Sequence, residues 1–161
     1  MMNFLWKAGH AVDGDLIYRK SEFSIDFVQT KDSAGEKNSR VDVSSISIGT
    51  LQLEVSMKCG EVLFPWGYFS SSRWISHPLT PPVAVPGRLL LSDTTTLLAG
   101  GASDLPGSEE WNTYFDRSSG WVLVGGECVG DVAIEFATRV IGLLANEQLV
   151  GLWLKPTWIE V

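Results

Sequence analysis

His10 and His77 are the only histidines in the chain, and Cys59 and Cys128 the only cysteines. Neither histidine stands at ligand spacing from a cysteine or from the other histidine, whereas a zinc site needs three or four such groups. The residues therefore predict no metal and no cofactor, and the histidines read as turn and loop residues. A Cys–His nucleophile pair needs only that its partners meet in space. Yet Cys59 ends a predicted strand, Cys128 adjoins a glycine turn, and nothing local lowers the pKa of either thiol. Both read as inert, buried or half-buried free thiols rather than a disulfide.

The remaining chemical patterns fail on context. Gly125-Gly126-Glu127-Cys128-Val129-Gly130 has the glycines of a phosphate loop but lacks the Lys-Ser/Thr ending, and it leads into a predicted strand rather than a helix. No Gly-x-Ser-x-Gly elbow is present. Asp13 with Asp15, and Glu109 with Glu110, are carboxylates adjacent on a turn and at a predicted helix start. Acid–base catalysis requires carboxylates that converge on a cleft with their pKa values pushed apart, so these pairs read as solvated faces or caps. The expectation is a protein that is not an enzyme.

Aromatic residues are the other chemistry on offer, with seven Trp and seven Phe in 161 residues. Each large ring buries roughly 150–250 Å² when covered. The run Trp66, Tyr68, Phe69, Trp74 either closes one end of a core or forms a contact surface, because Trp and Tyr are the usual anchors of interfaces. The same choice holds for Trp111 and Tyr114, which stand beside Glu109, Glu110 and Asp116. An aromatic centre rimmed by carboxylates suits a basic partner. The formal charge of −7 has the wrong sign for a protein that must neutralise phosphates, so direct nucleic-acid binding is not expected. No apolar run approaches the roughly 18–20 residues that cross a bilayer, and Met1–Lys7 lacks the pattern of a signal peptide. These features predict a cytoplasmic protein that does not engage a membrane.

The elements that must carry these residues are mostly strands. Val132, Ile134 and Phe136 alternate with Ala133, Glu135 and Ala137. Val140–Ala145 and Leu149–Leu154 are apolar on both faces, which predicts a central hairpin covered on each side. Glu147 tolerates positive φ poorly, so Asn146-Glu147-Gln148 predicts a three- or four-residue turn rather than a two-residue one. Pro156 should end the pairing near Lys155. Further strands are expected at Phe4–Trp6, Leu16–Tyr18, Phe23–Phe27, Thr50–Lys58, Glu61–Phe64, Leu89–Leu91 and Trp121–Val124. Gln29–Arg40 is polar and reads as a mobile loop, and Ser92–Gly107 as a second loop. The segment from His77 to Pro86 carries Pro78, Pro81, Pro82 and Pro86 and reads as a stiff connection over the rim of the sheet. Ser108–Phe115 is the one predicted helix, with Ser108 as cap, Glu109 and Glu110 at its positive end, and Trp111, Tyr114 and Phe115 three and four apart. The fold class is a mainly β single domain over residues 1–161, with α+β as the variant. Its architecture is an antiparallel sandwich or half-barrel with one short helix near 108–115.

Three stretches together carry a resemblance. They are Asn3-Phe4-Leu5-Trp6 to Leu16-Ile17-Tyr18, Leu51–Trp74 with Phe64-Pro65-Trp66-Gly67-Tyr68, and Ala133-Ile134-Glu135-Phe136-Ala137 to Leu152-Trp153-Leu154-Lys155-Pro156. In these the chain resembles the small bacterial immunity proteins of polymorphic toxin systems, including those of contact-dependent growth inhibition. The resemblance implies a cytosolic protein that binds one cognate, basic toxin domain, often a nuclease, and blocks its active site or an adjacent surface. It transfers no site residues. The interface candidates come from the residues themselves: Trp66, Tyr68, Trp74, Glu109, Glu110, Trp111, Tyr114 and Asp116. The ring-rich composition also fits a rival reading, a non-catalytic β-barrel or sandwich that binds a small apolar ligand in a closed pocket lined by Trp and Phe.

Overall fold

Alternating apolar residues and short turns give a chain built almost wholly of strands. The computed structural model describes residues 2–30, 42–125 and 129–160. In chain order the strands are β1 (Phe4–Ala8), β2 (Gly14–Arg19), β3 (Ser24–Gln29), β4 (Val43–Ile48), β5 (Leu51–Ser56), β6 (Glu61–Tyr68), β7 (Ile75–Ser76) and β8 (Val85–Leu91). They continue as β9 (Ala102–Asp104), β10 (Asn112–Phe115), β11 (Val122–Gly125), β12 (Val132–Ala137), β13 (Val140–Ala145), β14 (Gln148–Leu154) and β15 (Thr157–Ile159). All hydrogen-bond into one curled sheet, a half-barrel whose main path runs β15-β2-β3-β6-β8-β12-β13-β14-β11-β10-β7. Most neighbours are antiparallel, as the alternation implies. The sheet is nevertheless mixed: β7 with β10, β8 with β12, β2 with β15 and β4 with β9 are parallel.

Strand β8 joins the two halves. Its later residues pair antiparallel with β1 and with β6, and its first residues, Val85 and Pro86, pair parallel with Ile134 and Glu135 of β12. At this junction β1 crosses close to Gly87. A methyl group on Gly87 would lie 2.6 Å from the Lys7 carbonyl oxygen and 3.4 Å from Ile134 Cγ2. Only a residue without a side chain lets three strands meet there.

The inner face buries Leu16, Ile25, Leu53, Val62, Leu89, Ile134, Val140 and Leu152 in one continuous core. A second cluster lies on the other side of the closing strands and contains Leu123, Ala133, Ile141, Leu143 and Trp153. The double coverage expected of β13 and β14 is therefore present. Leu79 and Ala84 of the proline-rich connection pack against this second cluster, so that segment works as a cover. It ends sooner than its prolines suggest, because β8 takes in Pro86 at the junction.

Several expectations need correction. The predicted helix over 108–115 is a single 3-10 turn, Ser108–Glu110, after which Trp111 is extended and Asn112–Phe115 forms β10. An isolated helix of that length is marginal, and pairing with β11 and β7 satisfies the backbone instead. Tyr114 and Phe115 then go to opposite faces, one against the second cluster and one against the main core. The closing turn has two residues, not three or four: Ala145 pairs with Gln148, while Asn146 and Glu147 hold φ of 51° and 62°. This is the twist that a tight hairpin prefers, and Glu147 accepts the strain. Two bonds hold the turn, from Phe4 N to the Glu147 carbonyl (2.8 Å) and from Asn146 N to Asp131 Oδ2 (2.8 Å). Pairing of β14 does stop at Leu154, but the chain resumes beyond Pro156 as β15. Strand β9 lies inside the predicted loop 92–107, and β4 occupies a serine-rich stretch where the sequence pattern suggested no element. Cys59 is exposed and free in the turn after β5, not buried. Cys128 and the predicted mobile loop beyond Thr30 lie outside the described residues.

Two substitutions test this account. Gly87→Ala is expected to cost about 3 kcal/mol, the upper end of overpacking penalties, measured by denaturant unfolding. Glu147→Gly is expected to gain about 1 kcal/mol by removing left-handed strain. A neutral Gly87→Ala would mean that the junction is looser than its geometry.

Candidate functional site

Strand β6 carries the longest alternation of rings in the chain, and its register decides where they go. Gln52 of β5 faces Trp66, Glu54 faces Phe64, and Ser24 of β3 faces Tyr68. Leu53 and Val55, the intervening residues of β5, are fully buried. Trp66 and Tyr68 consequently point away from the core, 38% and 53% exposed. They line a groove of about 760 Å³ that also touches Phe64, Asp26 and Glu54. Phe27 stacks on Phe64 at 5.4 Å and forms part of the groove wall, and Phe23 extends the aromatic surface by an edge contact with Tyr68.

Two carboxylates, Asp26 and Glu54, lie on the groove wall. Asp26 is ion-paired with Arg19. Asp104 stands exposed on β9, whose partner β4 borders the groove. Apolar rings with carboxylates beside them form a surface that favours a cationic partner.

Of the residues singled out in the sequence, only Trp66 and Tyr68 share this groove. Trp74 belongs to a packed ring cluster with Tyr18, Phe69, Phe115 and Trp158, at centroid separations of 5.0–5.9 Å from its four neighbours. Trp111 is half-buried against the main core, and Tyr114 is half-buried against the second cluster, edge-on to His77. Glu109 and Glu110 are exposed on the 3-10 turn. Asp116 is a structural brace. Its Oδ2 accepts from Leu79 N at 3.0 Å, and its Oδ1 accepts from Ser118 N and Ser118 Oγ at 3.0 and 2.7 Å. These bonds tie the proline-rich cover to the β10–β11 hairpin. They also hold the Asp116 carboxyl well below the usual carboxylate range, with the Leu79 amide as the largest cause.

Sequence reasoning missed Phe64, Asp26 and Glu54 as groove residues. The period-2 run Phe64, Trp66, Tyr68 was the available signal. Elsewhere, Asp13 accepts from Thr30 and Thr138 side chains, a bracing role at the start of β2. His77 Nδ1 lies 2.7 Å from the Pro78 carbonyl oxygen. Among the described residues no three His, Cys, Asp or Glu side chains gather into a metal-binding group. Among the same residues no helix is long and apolar enough to cross a membrane. The chain matches no family model, and no curated protein matches it.

The Asp116 brace has a pH signature. Its folded pKa lies below its ordinary value near 4, so its contribution is complete above that value and is lost as pH falls below it. Asp116→Asn removes the Oδ2 acceptor and the titration together. The variant is expected to be less stable at neutral pH, with the difference from the native protein shrinking as thermal unfolding is followed into acid. A constant difference across that range would separate the carboxylate's charge from its role.

Proposed function

We propose that this protein is a non-enzymatic inhibitor that caps a basic toxin domain through the outward groove of β3, β5 and β6. The observation that carries this reading is the exposed pair Trp66 and Tyr68, set on a strand in a groove whose lining includes Asp26 and Glu54. Large exposed rings on regular structure are costly to leave in water and are the residues that dominate binding energy in interfaces. The net charge of −7 supports the same partner, because a domain that grips nucleic acid is basic. The resemblance to immunity proteins supplies the class of partner, and with it a cytosolic setting.

In this reading Trp66 and Tyr68 enter apolar hollows on the toxin, and the surrounding carboxylates meet its Lys and Arg side chains. The inhibitor needs no chemistry of its own. It covers the surface on which the toxin would hold its substrate.

The test is a binding titration with the toxin domain encoded beside this chain. A complex is expected at micromolar concentration or below, with slower association as salt is raised. Trp66→Ala is expected to weaken it by about 2 kcal/mol, roughly 30-fold, while the circular dichroism spectrum stays unchanged. Absence of a complex at low salt would reject the proposal. A complex indifferent to Trp66→Ala and Tyr68→Ala would reject this groove as the docking face.

A further inference from the structure

A second concave site lies on the ring cluster and has the opposite electrostatic character. It is an open cleft of about 710 Å³, within the range of small-molecule sites. Tyr18, Trp74, Phe115 and Trp158 form its aromatic floor. Tyr18 is fully buried, and its hydroxyl donates to the Phe69 carbonyl at 2.7 Å, which fixes the floor in place. Phe115 and Trp158 lie 5.0 Å apart, tilted at 51°.

The rim is the informative part. In a chain that carries 19 Asp and Glu against 12 Lys and Arg, no carboxylate lines this cleft among the described residues. Its charged lining residues are Lys20 and Arg117. Lys20 Nζ is 2.8 Å from Glu160 Oε1 in an exposed pair, and Arg117 makes no ion pair among the described residues. The nearest acid in sequence to Arg117, Asp116, has its oxygens committed to Leu79 and Ser118. Ser71 and Ser76 add hydroxyl groups to the lining, whereas the Ser118 hydroxyl is already given to Asp116. Lys155 stands just behind the rim: a methyl group on Gly120 would lie 4.0 Å from Lys155 Cε and 3.8 Å from Trp158 Nε1.

We propose that this cleft is a binding site for a small organic anion with a flat ring, the ring stacking on one of the inclined rings Trp74, Phe115 and Trp158 and meeting the edges of the others, and the anionic group reaching Arg117 and Lys20. Stacking on aromatic faces accounts for the flat body. Cations and hydroxyl donors account for the charge, because charge-assisted bonds to an anion are about twice as strong as neutral ones. The site is separate from the groove that carries the proposed toxin contact, and it stands whether or not that contact exists.

Calorimetric titration of the full chain tests it with two pairs of probes: AMP against adenosine, and indole-3-carboxylate against indole. Saturable binding of at least one anion is expected, with its neutral parent at least about tenfold weaker. Which anion saturates distinguishes a phosphate from a carboxylate ligand. Arg117→Ala, an exposed change that leaves the core intact, is expected to weaken the anion about tenfold and leave the neutral parent unchanged. Trp66→Ala is expected to leave both unchanged. The proposal is overturned if neither anion binds at millimolar concentration, if the neutral parents bind as well as the anions, or if Arg117→Ala makes no difference.

Discussion

Burial of one continuous apolar face is the constraint from which the rest of the structure follows. A sheet that exposes Leu16, Ile25, Leu53 and Val62 on one half, and Ile134, Val140 and Leu152 on the other, can hide both only by curling until the two meet. The chain curls at β8, which pairs with β1 and β6 over one part of its length and with β12 over another. A strand that changes neighbours along its length must let backbones approach closely, and Gly87 is where that happens. Pro86 fits beside it because a strand that is switching partners has a position without a ladder bond to donate.

Curling creates a second requirement. Strands β13 and β14 are apolar on both faces, so the convex side also needs a cover. The connection through Leu79 and Ala84 provides it, and its backbone has few amides with which to join the sheet. Asp116 supplies the missing attachment by accepting from the Leu79 amide. A residue that looks like part of an acidic binding surface in the sequence is thus used to hold a lid of backbone over Ile141, Leu143 and Trp153.

The same distinction separates what could be read in the sequence from what could not. Period-2 alternation located β5, β12 and the closing hairpin, because their faces differ sharply in polarity or are both apolar. Strand β4 escaped because Ser44, Ser45 and Ser47 replace the apolar signal with small hydroxyl residues that are nonetheless buried. The Ser108–Phe115 stretch carries a helical start signal and helical ring spacing, yet its outcome is set by its hairpin with β11 and by β7, which comes from distant sequence. Local pattern loses to tertiary pairing in a segment too short to nucleate alone. At the sites, Trp66 and Tyr68 were legible because both lie on one strand two residues apart. The cleft was not, since Tyr18, Trp74, Phe115 and Trp158 come from separate elements and only the curling of the sheet brings them together.

Position on the scaffold also sets what the outward groove can do. Trp66 and Tyr68 sit on β6, which pairs with β5 along most of its length, with β3 at one end and with β8 at the other. Their backbone is ordered before any partner arrives, so binding costs little beyond fixing a few side-chain torsions. A ring of the same exposure on a loop would have to order its backbone as well, at roughly 1–2 kcal/mol per residue. In the proposed role of covering another molecule, all of the effect comes from binding free energy. Anchors on a paired strand, with carboxylates held on adjacent strands, meet that demand better than the exposed Glu109 and Glu110 on their single turn.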